Sequence, residues 1–181
     1  MLGRHDEGTR LVRKALDVDP LSAYAWTMYG ALSWRRQEIA DARAAFDRAL
    51  EISPDSTFAH FLCGMMELDQ RRNEAAAGHF RRTGECFRQA GTAMIEHTLG
   101  HAEASQRALD ELKTKYSHGF AYQIAQVHAW RGENAAALDW LEVAWEQRDA
   151  GVARFRFEPW FVPLRNEPRF RALVRRLDLP E

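Results

Sequence analysis

With 181 residues, the chain is long enough for one compact domain or one short solenoid. A hydrophobic content of 46% and a charged content of 28% fit a folded protein, and a net charge of −1 gives no global pull toward nucleic acid or a membrane surface. No apolar run approaches membrane-spanning length, the N-terminal MLGRHDEGTR has no signal-peptide core, and Cys63 and Cys86 lack CxxC spacing or a disulfide framework, so a reduced, cytoplasmic chain is expected. Arginine outnumbers lysine 22 to 3, which reads first as genomic base composition.

The first predicted helix covers Gly3 to Val18 and carries Leu11, Val12, Ala15 and Leu16 on one face. Ser22 to Pro54 then reads as two helices, Ala23 to Arg36 and Ile39 to Ile52, joined by a short turn. Trp26, Tyr29, Gly30 and Ser33 mark one face of the first, and Ala42, Ala45, Phe46 and Ala49 one face of the second, at three-and-four spacing. Pro54 ends the unit. Thr57 to Gln70 and Glu74 to Gly84 form the next pair. The pair after that comes early. Phe80 to Leu109 is 29 residues and no proline intervenes, so either the turn is shortened or helix 74–84 runs nearly straight into helix 86–98.

Gly100 supplies the following turn, and Glu103 to Tyr116 is a second helix with Ala108, Leu109 and Leu112 inward. Phe120 to Trp130 and Asn134 to Gln147 follow at 32-residue spacing, with Ala125, Ala137, Leu141 and Ala144 as packing positions. Beyond Asp149 the prolines of FRFEPWFVPLR exclude a long helix. Asn166 is the expected cap of a last helix, with Pro168 in its first turn and Phe170, Leu173, Val174 and Leu177 as its apolar stripe.

Five residue pairs coincide at one offset of 34: Ala15/Ala49, Pro20/Pro54, Gly30/Gly64, Ala42/Ala76 and Phe46/Phe80. That is the period of the tetratricopeptide repeat, and the residue types resemble that family too. Trp26 and Gly30 are similar to the aromatic and small residues of its first helix. Ala42, Phe46, Ala49 and Pro54 are similar to the alanines, aromatic and terminal proline of its second. Cys63 stands where a larger apolar residue is usual, and Thr83 where alanine is usual. The small residues let paired helices approach closely, while Phe46 and Trp26 are expected to fill the gap to the next repeat. The expected fold is all-α, a right-handed superhelical solenoid of antiparallel helix pairs with a C-terminal helical cap. It divides into a repeat array over 1–148 (half-repeat 3–20, repeats 22–54, 56–84, 86–117 and 118–148) and a capping segment over 149–181. The lone second helix at the start exposes an apolar face, which suggests a C-terminal piece of a longer protein or a self-associating end. The stretch WRGENAAALDWLEVAWEQRD with PLRNEPRFRALVRRLDLP also resembles the C-terminal ends of bacterial regulatory proteins, in which tetratricopeptide arrays follow a winged-helix, cyclase or kinase domain.

The resemblance implies a protein or peptide partner held on the first helices, which line the concave face in that family. The lining would be Tyr24, Thr27, Trp34 and Arg35; then Phe58, Phe61, Met65 and Asp69; then Phe87, Met94 and His97; then Tyr122, Gln126 and Trp130. So apolar a groove suits an amphipathic helix or hydrophobic peptide. The plainer reading is that several of these residues pack between helices. A third is that the tail's own Phe155, Phe157, Trp160 and Phe161 fill the groove. Self-association is the alternative function.

Other classes carry less weight. His60, His79, His97 and His101 are scattered, with Gly100 between the last two, so no metal or other cofactor is expected. Arg154, Arg156, Arg165, Arg169, Arg171, Arg175 and Arg176 outnumber the tail's acids Glu158, Glu167, Asp178 and Glu181. Their plainer reading is a solvated helix face, not a nucleic-acid site. Cys63 with His60 is one helical turn apart, but a thiol in a packed repeat is expected to be inert. No catalytic set or phosphate loop is visible, and no enzyme activity is expected.

Overall fold

The computed structural model describes residues 3–177, with side chains from residue 7 onward. Asp178 and Glu181 of the tail lie outside the described residues. The helices fall into two compact units that divide between Gly84 and Glu85. The first holds α1 (Gly3–Val18), α2 (Ala23–Arg35), α3 (Ile39–Ile52), α4 (Thr57–Asp69) and α5 (Asn73–Phe80). The second holds α6 (Glu85–Thr98), α7 (Ala102–Tyr116), α8 (Ala121–Trp130) and α9 (Asn134–Glu146). Two 3-10 helices, Ala150–Phe157 and Pro159–Leu164, and α10 (Pro168–Arg176) complete it.

Each first helix ends in the same way. The second residue after it adopts a left-handed conformation, at Gln37 (φ 64), Arg71 (φ 58), Gly100 (φ 82) and Gly132 (φ 76). In each case the following amide reaches back across six residues: Glu38 to Ser33, Arg72 to Glu67, His101 to Glu96 and Glu133 to His128, at 2.8–2.9 Å. This Schellman closure satisfies the last carbonyls and reverses the chain, so the two helices of a pair lie antiparallel. Arg148 (φ 55) closes α9 likewise, with Asp149 N–H on the Ala144 carbonyl. At the other end, Ser22 and Ser56, again 34 apart, cap α2 and α4 by accepting from the Ala25 and Ala59 amides.

Within a pair, close approach depends on glycine facing a phenylalanine ring. A Cβ on Gly30 would lie 2.9 Å from Phe46 Cδ1, and one on Gly64 would lie 2.7 Å from Phe80 Cε1. Phe46 therefore packs inside its own pair, against Gly30. Trp26 differs from expectation. Its indole N–H donates to the Pro20 carbonyl at 2.9 Å, so it turns back toward the preceding turn. Buried Glu67 ties α3 to the start of α5 through Arg43 (2.9 Å) and Arg72 (3.0 Å).

The helix expected to run to Gly84 stops at Phe80. Thr83 lies in the turn and its hydroxyl donates to the Phe80 carbonyl at 2.7 Å. A shortened turn, and no continuous helix, accounts for the early arrival of α6. In the tail, Glu167 and not Asn166 occupies the cap position of α10. The Asn166 side-chain oxygen instead accepts from Arg171.

The 3-10 helices pack on both α8 and α9, as α4 packs on both α2 and α3. The tail thus takes the place of the first helix of a further pair. Phe155, Phe161 and Leu164 are buried there, and Phe155 meets Phe170 of α10 edge-on at 4.8 Å. Arg169 forks onto Asp139 and Glu142 at 2.8 Å, fastening α10 to α9.

Candidate functional site

In the first unit, α2 and α4 lie side by side. Tyr24 and Phe58 occupy the same register, 34 residues apart. Their rings stack with centroids 6.2 Å apart and planes inclined by 20°. Tyr24 is 67% exposed, a high value for so large a ring. Arg35 and Asp69 are half-buried at the opposite ends of the same helices. Asp69 is held by the indole N–H of Trp34 at 2.9 Å.

Four of the residues read as lining in this unit are core. Thr27 is buried and its hydroxyl donates to the Ala23 carbonyl of its own helix. Trp34 is buried between α2 and α4 through its bond to Asp69. Phe61 packs against Phe80 of α5 at 6.0 Å, and Met65 is closed to solvent. The accessible set is Tyr24, Arg35, Phe58 and Asp69.

In the second unit, Phe87 is half-buried and meets Phe120 edge-on at 5.8 Å. His97 is exposed at the end of α6. Trp130 is half-buried, with its indole N–H on Thr98 Oγ1 at 3.0 Å, which joins α8 to α6. Met94, Tyr122 and Gln126 are buried. Tyr122 is covered by the tail: Phe161 lies 6.0 Å from its ring, Arg154 stands over it, and Gly151 packs against its edge. Gln126 keeps a buried side-chain oxygen with no hydrogen-bond partner among the described residues. Of the tail rings Phe155, Phe157, Trp160 and Phe161, it is Phe161 that lies against Tyr122.

Helical periodicity alone selects two adjacent stripes and cannot tell which one turns inward. The apolar face read on α1 is partly open, and Val12 and Leu16 on it are half-buried. Leu11 and Ala15 of α1 are exposed, as are Val18 at 81% and Leu21. Leu11 and Ala15 stand 34 residues before Ala45 and Ala49, which are buried against their own first helix. Nearby, an open groove of about 460 Å³ is lined by Thr9, Arg10, Arg13, Lys14, Asp17 and Arg36.

The histidines do converge in one place. His79 of α5 touches both His60 and Cys63 of α4. Burial pushes the Cys63 thiol up to about 12, with the Glu67 and Asp47 carboxylates adding to the rise. It is therefore a thiol, not a thiolate, near neutral pH. Among the described residues, no group of three or more His, Cys, Asp or Glu is arranged to hold a metal ion, and no helix is long and apolar enough to cross a membrane.

The family model of the tetratricopeptide repeat matches residues 2–57, over the segment that forms α1 to α3. That segment carries the tetratricopeptide repeat. Anaphase-promoting complex subunit 3 of Schizosaccharomyces pombe is 27% identical over 81 residues, which is 45% of this chain and 12% of that protein. A solved structure, that of YrrB, a tetratricopeptide protein with an unusual peptide-binding site, aligns with a TM-score of 0.51 at 15% identity. The alignment covers 92% of this chain and 90% of that one. The all-helical fold is thus that of a tetratricopeptide-type solenoid, a repeat architecture that serves as a protein-interaction scaffold.

Proposed function

We propose that this tetratricopeptide chain is a non-enzymatic scaffold that binds an amphipathic helix or hydrophobic peptide of a partner protein on its first helices. The Tyr24–Phe58 stack, in which Tyr24 is exposed and Phe58 half-buried, carries the proposal. Tyr24 offers a rigid ring with a polar tip, the kind of side chain that anchors interfaces at low entropy cost. Arg35 and Asp69 offer opposite charges one register apart at the far end, which would fix the direction of a bound helix. In the second unit Phe87, His97 and Trp130 are the accessible candidates. The tail's likeness to the ends of bacterial regulatory proteins supports a regulatory setting in the cytoplasm, and two free, buried cysteines agree with a reducing compartment.

The test is to pan a random peptide library against the purified chain and measure the enriched peptides by calorimetry. Enriched peptides should carry apolar residues at three-and-four spacing. Tyr24→Ala with Phe58→Ala should weaken them by about tenfold or more, since each anchor contributes on the order of 1–2 kcal/mol, while helicity by circular dichroism stays unchanged. Phe61→Ala is unsuitable as a test, because that ring is core. Undiminished binding by the double variant would refute the assignment.

A second reading, self-association, rests on a different observation, the exposed Leu11, Val18 and Leu21. Sedimentation equilibrium should then show a dimer that Leu11→Glu with Val18→Lys converts to monomer. A monomer at high concentration would dismiss it.

A further inference from the structure

The second helices α3, α5, α7 and α9 all start on residues poorly suited to capping. Glu38, Arg72, His101 and Glu133 stand at their N-cap positions, and none of these side chains caps the helix it opens. Serine, threonine, asparagine or aspartate is preferred there. The four side chains are engaged elsewhere. Their backbone amides close the first helices on Ser33, Glu67, Glu96 and His128, which fixes a common register across the repeats.

Two further places complete that register. Arg36, Gln70, Leu99 and Arg131 directly precede the left-handed residue of each turn. Thr9, Arg43, Ala77 and Gln106 lie on α1, α3, α5 and α7. The first three follow one another at 34 residues, and Gln106 follows Ala77 by the 29 residues that separate Phe80 from Leu109.

Inside each unit, one charged side chain joins these places. Arg36 donates to Thr9 of α1 at 3.4 Å and to Glu38 at the start of α3 at 2.7 Å. Glu67 accepts from Arg43 of α3 at 2.9 Å and from Arg72 at the start of α5 at 3.0 Å. Arg131 donates to Gln106 of α7 at 2.9 Å and to Glu133 at the start of α9 at 2.8 Å, and Glu133 also holds His128 of α8. In each case one second helix is fastened to the start of the next. The hub is arginine, then glutamate, then arginine, and it moves between the turn and the first helix. Residue identity at any single place therefore hides the device.

The set that straddles the division between the units is different. Its places are Ala77, Glu96, Leu99 and His101. Ala77 and Leu99 carry no polar side-chain atom, and the Glu96–His101 pair at 2.8 Å belongs wholly to the second unit. Ala77, the one member of this set in the first unit, has no group to offer.

We propose that these four places form an exchangeable polar clasp that makes neighbouring helix pairs open together, and that the lack of a hub in the set at the Gly84–Glu85 division lets the two units open separately. Glu67 is 3% exposed, so removing either arginine strands part of a buried charge, and the cost falls on both helices it joins. Arg36 and Glu38 are partly exposed, where an ion pair adds less, so coupling is weaker at that junction.

Amide exchange on the full chain at constant pH tests both halves. R43T/E67S/R72E gives the second junction three of the four residues of the first, without its hub. Exchange in α3, α4 and α5 should rise by about tenfold or more, while α8 and α9 stay within about twofold. Adding Q70R supplies the hub and should recover most of that loss. Failure of Q70R to restore protection would overturn the clasp, and an equal rise in α8 and α9 would overturn the separate opening. Where the triple variant fails to fold, R131L decides. It should raise exchange in α8 and α9 by about threefold or more and leave α3 and α4 within about twofold. Equal rises in both units, or none in the second, would overturn the proposal.

Discussion

Replacing Gly64 by alanine isolates what a repeat glycine does. In an exposed helix interior, glycine to alanine stabilises by roughly 0.5–1 kcal/mol, because alanine loses less backbone freedom on folding. At Gly64 the new Cβ would lie 2.7, 2.9 and 3.0 Å from three atoms of the Phe80 ring. Phe80 is fully buried and also packs against Phe61 with centroids 6.0 Å apart, so the ring cannot retreat freely. Overpacking of this kind costs about 1–3 kcal/mol, which exceeds the propensity gain. The expected net effect is a loss of about 0.5–2 kcal/mol.

Gly78 of α5 is the internal control, since its Cβ would meet only the far end of Arg81 at 3.9 Å. Gly78→Ala should stabilise by about 0.5–1 kcal/mol. Both positions lie in the first compact unit, so urea unfolding followed by circular dichroism reads one transition for both. Adding Phe80→Leu to Gly64→Ala should recover part of the loss, a coupling that a double-mutant cycle measures. If Gly64→Ala stabilises as much as Gly78→Ala, close approach through glycine is not what holds the pair together.

The remaining predictions are independent of that one. Gln37→Gly and Arg71→Gly should each stabilise by about 0.5–1 kcal/mol in chemical denaturation, because both residues sit at positive φ, where a side chain is strained. Phe161→Ala should destabilise the second unit by about 3–5 kcal/mol and increase solvent quenching of Tyr122 fluorescence, as expected if the tail substitutes for a further first helix. Arg169→Ala, which removes a fork on Asp139 and Glu142 that is largely in water, should change unfolding by under about 1 kcal/mol. Cys63 and Cys86 should both resist an aromatic disulfide reagent at pH 8 until urea is added, since each thiol is buried and held protonated. Rapid labelling of the native chain would contradict that burial.

Much of the fold was legible because its rules are local. Small residues, phenylalanines and prolines at fixed spacing repeat wherever the same helix pair repeats, and a period of 34 makes them visible. Where the signal was weak, physics outside the period intervened. Thr83 closes a turn that the helical pattern extended through, and Glu167 takes the cap from Asn166 because Pro168 opens the helix one residue later.

The binding surface was legible only as a choice of helix. Tyr24 and Thr27 are three residues apart on one helix, yet one faces solvent and the other is closed. The chain by itself determined the helices, their pairing and the register that aligns Tyr24 with Phe58 and Trp26 with His60, because hydrogen-bonded turns and side-chain size act over a few residues. Which stripe stayed open, which ring the tail covered, and that His60, His79 and Cys63 meet were decided by the tertiary structure, because burial and the direction of a hydrogen bond depend on what a neighbouring helix places opposite.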